Sequence, residues 1–246
     1  MAIDMHTHPL LSYDPADAER LLKILDANHV DRIVVITRDG LRSNCMDHPA
    51  INDGIYGFCR KNPERFLPAF TINPLFGQKA VDEIRRCREK FGISLLKLHP
   101  WLQGFSLASS HMDRVAAMCR ELGITIIFHD GTPPYATPCQ LARLCRDFPE
   151  LKIISGHAGL NDLWYDSLLS ARRYQNFHIC LCGVAVSQMQ RIVDQVAPEQ
   201  ICVGSDFIDL AEDSLWYPWQ QWRRVEMPDK VRDIIENKTP KKLLNI

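Results

Sequence analysis

The chain has 246 residues, 46% of them hydrophobic and 24% charged, with a formal net charge of -1. That length allows one large domain over residues 1–246, and the balanced charge gives no electrostatic case for nucleic acid or an anionic membrane as a partner. The longest apolar stretches are strand-length, too short for a bilayer span.

The start, Met1-Ala2-Ile3-Asp4-Met5-His6, lacks the basic-then-apolar pattern of a secretory signal. The nine cysteines are scattered and no pair has zinc-ribbon spacing. Cys180 and Cys182 lie two apart in an expected strand and so share a face. Reduced, buried thiols in a cytoplasmic protein are the expectation.

Short apolar runs alternate with amphipathic segments throughout. Strands are predicted at Ile3–His6, Arg32–Thr37, Phe66–Ile72, Ser94–Leu98, Ile124–His129, Leu151–Ser155, Phe177–Leu181 and Gln200–Val203. Most are rich in aliphatic or β-branched residues, as strands buried on both faces should be. Between them come helix signals. Asp14 caps a helix starting at Pro15, with Ala18, Leu21, Leu22 and Leu25 as its apolar stripe. Ala80, Ile84, Cys87 and Phe91 form a second stripe that Gly92 ends, and Val115, Cys119 and Leu122 precede Gly123 in the same way. Thr137-Pro138 opens another helix, and Ser187 is expected to cap the segment carrying Ile192, Val193 and Val196.

Regular strand–helix alternation of this kind implies a parallel sheet covered by helices. Propensity alone does not separate a closed (β/α)8 barrel from an open doubly wound sheet. The polar residues favour closure. They sit at the C-terminal ends of the first, fifth, sixth and eighth strands, where only a closed barrel brings all of them to one mouth.

Four short motifs carry the chemistry. Asp4-Met5-His6-Thr7-His8 ends the first strand, and imidazoles at i and i+2 lie about 6–7 Å apart on one face, able to converge on one ion. Phe128-His129-Asp130-Gly131, Ser155-Gly156-His157-Ala158-Gly159 and Val203-Gly204-Ser205-Asp206 end the later strands. Singly, each has a plain structural explanation: surface histidines, a strand-end cap, a tight turn, a helix N-cap. Their coincidence at successive strand ends does not.

With these motifs, and with Lys97-Leu98-His99-Pro100 and the closing Glu236-Asn237-Lys238, the sequence resembles the amidohydrolase superfamily over nearly its whole length. It is most similar to the second, decarboxylase-like subgroup (amidohydrolase-2), which includes hydrolases and non-oxidative decarboxylases. The resemblance implies that His6, His8, His129 and Asp206 bind a divalent metal and that His157 is catalytic or binds a second one. Three imidazoles and a carboxylate leave an open position for water, whose pKa the ion lowers. Asp206 and His157 are the candidate proton carriers. Zinc is the expected ion, with manganese and iron as alternatives. One metal is expected ahead of two. Lys97 and His99, on one face of the fourth strand, are the secondary site-lining or second-metal candidates. Some relatives carbamylate a lysine there, and the alternative is a barrel-interior lysine paired with a carboxylate.

The partner is expected to be a small molecule. Arg38, just after the second strand, is positioned to hold a substrate carboxylate, or else is a solvated loop residue. Trp101, Phe105, Tyr135, Trp164, Tyr165, Trp216, Tyr217 and Trp219 suffice to wall an apolar pocket, and a homo-oligomer interface is their other use. The seventh strand lacks the acidic or serine residues often found in relatives. Hydrolysis of an amide or ester (including a lactone) is the leading expectation, and metal-assisted decarboxylation of an unsaturated or aromatic acid is the alternative.

Overall fold

A computed structural model describes residues 1–210 and 212–246. The strands are β1 (Ile3–Thr7), β2 (Arg32–Val35), β3 (Phe66–Pro68), β4 (Phe70–Thr71), β5 (Leu95–Leu98), β6 (Thr125–Phe128), β7 (Ile153–Ser155), β8 (Phe177–Leu181) and β9 (Ile201–Val203). All pairings between them are parallel, in the order β1-β2-β3 and β4-β5-β6-β7-β8-β9.

β3 and β4 are the two halves of the strand predicted at Phe66–Ile72, interrupted at Ala69. Pro68 has no N–H to give a ladder, so regular pairing stops there. The Ala69 N–H donates to the Val35 carbonyl at 3.1 Å, which keeps the broken strand tied to β2 while β4 turns to β5. The other seam closes beyond β9. Thr7 forms a parallel bridge with Phe207, and the Asp206 N–H donates to the His6 carbonyl at 2.8 Å. The result is the closed (β/α)8 barrel that the alternation implied.

Helices α1 (Pro15–Ala27), α2 (His48–Cys59), α3 (Gln78–Phe91), α4 (Pro100–Gln103), α5 (Ser110–Glu121), α6 (Pro138–Asp147), α7 (Leu160–Arg173), α8 (Val186–Gln195), α9 (Glu212–Arg223), α10 (Asp229–Asp233) and α11 (Thr239–Leu244) complete the chain. Asp14 caps α1 by accepting from the Ala16 N–H, Gly92 ends α3 in a left-handed conformation, and Thr137 and Gln140 form a capping box on α6. Ser187 is not a cap. α8 begins at Val186, and the Gln188 side chain instead accepts from the Ala185 N–H at 2.9 Å.

Alternation sorts the strand residues into two buried sets. Ile33, Val35, Leu96, Leu98, Ile126, Phe128, Ile179 and Leu181 meet the helices. Val34, Leu95, Ile127, Ile154, Cys180 and Cys202 fill the barrel, with Leu243 and Leu244 of α11 packed against them. Lys97 shares the inward parity of Leu95. Among the described residues no helix is long and apolar enough to cross a membrane.

Candidate metal centre

β1 supplies two histidines, and it does so by breaking its own alternation. Ile3 and Met5 pack in the barrel interior, while Asp4 turns outward to accept from the Trp219 indole at 2.9 Å. Plain alternation would send His6 outward too. A register irregularity between Asp4 and Thr7 re-aims it into the barrel. There His6 Nδ1 lies 2.9 Å from the Gly156 carbonyl, which can only accept, so Nδ1 carries the proton and the Nε2 lone pair faces the cavity. This contact explains Gly156: a Cβ there would collide with the Phe128 carbonyl and lie 3.3 Å from His6 Cε1. The glycine admits the His6 ring closely.

His8 Nε2 is 3.1 Å from His6 Nε2. Asp206 Oδ1 lies 3.7 Å from His6 Nε2 and 3.5 Å from His8 Nε2. Burial first, and the nearby Lys97 ammonium next, hold both histidines well below the ordinary imidazole range. They are therefore neutral, and the contacts to Asp206 are not ion pairs. Donor atoms bound tetrahedrally at about 2.0–2.1 Å sit about 3.3 Å apart. His6, His8 and Asp206 match that spacing, and neutral imidazoles with a carboxylate are the protonation states that a divalent ion requires. Asp206 does not cap a helix. It adopts a left-handed backbone (φ 56°) six residues before α9.

The other expected residues gather beside this trio. Lys97 is fully buried, with Nζ 2.7 Å from His6 Nε2. Burial lowers its pKa to about 8 against the opposing pull of Asp206. The His157 ring packs 4.7 Å from that of His6 and 4.5 Å from that of His129. His129 stacks on His99 at 3.8 Å, with the planes 10° apart. Burial pushes His99 down to about 2 and His129 down to about 3. His129 is not in the tight trio. Its Nε2 is buried without a hydrogen-bond partner among the described residues, a donor left open within the cluster.

Two further groups at the mouth were not singled out from sequence. Asp130 is fully buried and accepts from Ser155 Oγ at 2.5 Å, the His157 N–H at 2.8 Å and the Gly159 N–H at 3.0 Å. Burial raises its carboxyl to about 6 against those three bonds. It fastens the turn that carries His157, and its place directly after His129 was the available signal. Cys182, just past β8, puts Sγ 3.5 Å from His157 Nδ1. The shared face of Cys180 and Cys182 was legible; that this face lines the histidine cluster was not.

Beyond His8, residues 9–13 and Thr37, Arg38 and Ile55 line a cavity of about 300 Å³. Arg38 is exposed, and its charge, after that of Lys97, pulls down the Asp206 carboxyl, which burial raises. Of the aromatics, Trp101, Tyr135, Tyr165, Trp216 and Tyr217 are exposed, whereas Phe105 and Trp219 are buried.

A closed barrel with histidines and a carboxylate converging at its C-terminal mouth defines a candidate metal-dependent enzyme. The family profile described as amidohydrolase matches residues 3–246, and the chain belongs to that family. Solved structures share the fold at low identity. The 5-carboxyvanillate decarboxylase of Sphingomonas paucimobilis superposes with a TM-score of 0.77 at 17% identity, covering 100% of this chain and 99% of that one. The 5-carboxyvanillate decarboxylase of Novosphingobium aromaticivorans, complexed with manganese and 4-hydroxy-3-methoxy-5-nitrobenzoic acid, gives 0.74 at 15% identity, covering 100% and 96%. The 4-oxalomesaconate hydratase of Rhodopseudomonas palustris gives 0.75 at 16%, again covering 100% and 96%. No curated relative matches the sequence.

Proposed function

We propose that the chain is a metal-dependent, non-oxidative decarboxylase of a small aromatic or unsaturated carboxylic acid. The observation that carries this reading is the charge balance of the mouth. Lys97 and Arg38 both act on Asp206, and the surrounding histidines are held neutral. With a divalent ion added, positive charge exceeds that of the two carboxylates at the mouth, Asp206 and Asp130, and an anionic substrate completes the site. The similarity to decarboxylase and hydratase structures supports lyase chemistry ahead of the hydrolysis expected from sequence.

His6, His8 and Asp206 would hold the ion, with the His129 Nε2 donor beside them. Imidazole and carboxylate suit manganese, zinc or iron, and the manganese of the Novosphingobium protein moves the expectation from zinc towards manganese. When bound, the ion polarises substrate oxygens and anchors the carboxylic acid. Arg38, which lines the adjoining cavity, would pair with a substrate carboxylate there. In the reaction the bond between the carbon skeleton and the carboxylate breaks, carbon dioxide leaves, and the carbon takes a proton. Asp206 and His157 would hold that proton.

The test is product analysis of the manganese-loaded protein with hydroxylated benzoates, lactones and amides. Carbon dioxide release from a benzoate is expected. Ring opening or acid release without carbon dioxide would overturn the lyase reading in favour of hydrolysis.

A further inference from the structure

The mouth contains a second set of converging donors, and it differs in kind from the first. His6, His157 and Cys182 are all buried, and each offers one ligand atom within 4.8 Å of the others. Zinc–sulfur and zinc–nitrogen bonds of about 2.3 and 2.0–2.1 Å, set at a tetrahedral angle, separate sulfur from nitrogen by about 3.5 Å. Cys182 Sγ and His157 Nδ1 are 3.5 Å apart. The backbone is shaped for this approach. Gly183 follows Cys182 with φ 77°, and a Cβ there would lie 2.9 Å from Leu160 Cδ2 and 3.6 Å from His157 Nδ1.

We propose that His6, His157 and Cys182 form a second metal position, selective for a thiophilic divalent ion such as zinc or cadmium. The two positions compete, because both need His6, whose Nδ1 is committed to Gly156 and whose Nε2, now 2.7 Å from Lys97 Nζ, is the one nitrogen that can face an ion once the lysine yields. An ion that favours oxygen takes His6, His8 and Asp206; one that favours sulfur moves to His157 and Cys182. On binding, the sulfur–metal bond forms, the Cys182 S–H bond breaks, and one proton leaves to solvent. The position does not depend on the lyase reading, since it requires only the donors.

The test is cadmium titration of chelator-treated protein, followed by thiolate-to-cadmium charge-transfer absorbance in the ultraviolet. The exposed thiol Cys139 is first removed as Cys139→Ser, because among the described residues it alone offers cadmium an accessible surface sulfur. In that background one saturable band per chain is expected. Adding Cys182→Ser should reduce it at least tenfold, while adding Asp206→Asn should leave it in place and weaken manganese binding. His157→Gln, which keeps the thiol, should lower the cadmium affinity by at least about tenfold. Thermal unfolding of each variant checks that the barrel persists. No band in the Cys139→Ser protein, or a band that survives both Cys182→Ser and His157→Gln, would overturn the proposal.

Discussion

Two buried polar clusters in this barrel are built on opposite terms. Between α2 and α3, Glu83 receives two hydrogen bonds from Arg86, both 2.7 Å, and one from Asn52 at 2.8 Å, while Arg86 also reaches Asp53. Burial would raise the Glu83 carboxyl, but the bonds from Arg86, Asn52 and Cys87 outweigh it and hold it low. Every charge there has a partner. At the mouth the reverse holds. Lys97 meets a histidine nitrogen instead of a carboxylate, five imidazoles crowd one another, and a His129 nitrogen is left open. Desolvation wins at each of these groups. A cluster satisfied from within fastens the fold. One left unsatisfied, on a frame that tolerates its cost, is arranged for something that binds.

The contrast is sharpest at His157. It is buried and held well below the imidazole range, first by desolvation and then by Lys97, and it lies beside the trio of His6, His8 and Asp206 without being part of it. His157→Ala should therefore keep manganese at the first position and lose about two to four orders of magnitude in turnover, the usual worth of general acid–base help. Loss of manganese in that variant would make His157 a ligand of the first position.

Asp130 joins the two kinds of cluster, since it is itself satisfied and fastens an unsatisfied neighbour. Asp130→Asn replaces one acceptor oxygen with a donor facing the Ser155 and backbone N–H groups. A stability loss of about 1–3 kcal/mol is expected by chemical denaturation, with metal content retained. An unchanged denaturation midpoint would show that the His157 turn does not rely on this carboxylate.

The smallest effect concerns the satisfied cluster. A carboxyl whose folded pKa lies below its unfolded value adds stability above the unfolded pKa and loses it as pH falls through the folded one. Glu83 should accordingly contribute fully at neutral pH and lose that contribution progressively as pH falls below its ordinary value of 4.5 and through its lower folded one. Glu83→Gln should lower the melting temperature at pH 7 and close most of that gap at the acid end. A constant gap across pH would contradict the assignment.

Much of this was legible in the sequence, for identifiable reasons. Strands buried on both faces announce themselves by composition, and Phe177–Leu181 falls where it was expected. The motif residues His6, His8, His157 and Asp206 do meet at one mouth. The break at Ala69 and the irregularity after Asp4 were not legible, because both depend on which neighbour a strand pairs with. Helix α7 gave no capping signal, since Gly159 before it has no side chain to offer. Cys182 was hidden by chemistry, because a thiol in an apolar run reads as packing until its neighbours are known. The bond that is broken was the least legible feature. Hydrolysis and decarboxylation draw on the same histidines and carboxylate, so the motifs alone do not separate them.

The central claim is that His6, His8 and Asp206 hold one divalent ion, and equilibrium manganese binding tests it most directly. Wild-type protein, stripped and titrated with manganese under electron paramagnetic resonance, should bind one ion tightly per chain. His8→Ala and Asp206→Asn should each weaken that binding by more than the roughly 100-fold that loss of a merely supporting group costs, with the fold intact by circular dichroism. Tight stoichiometric binding that persists in both variants would contradict the account.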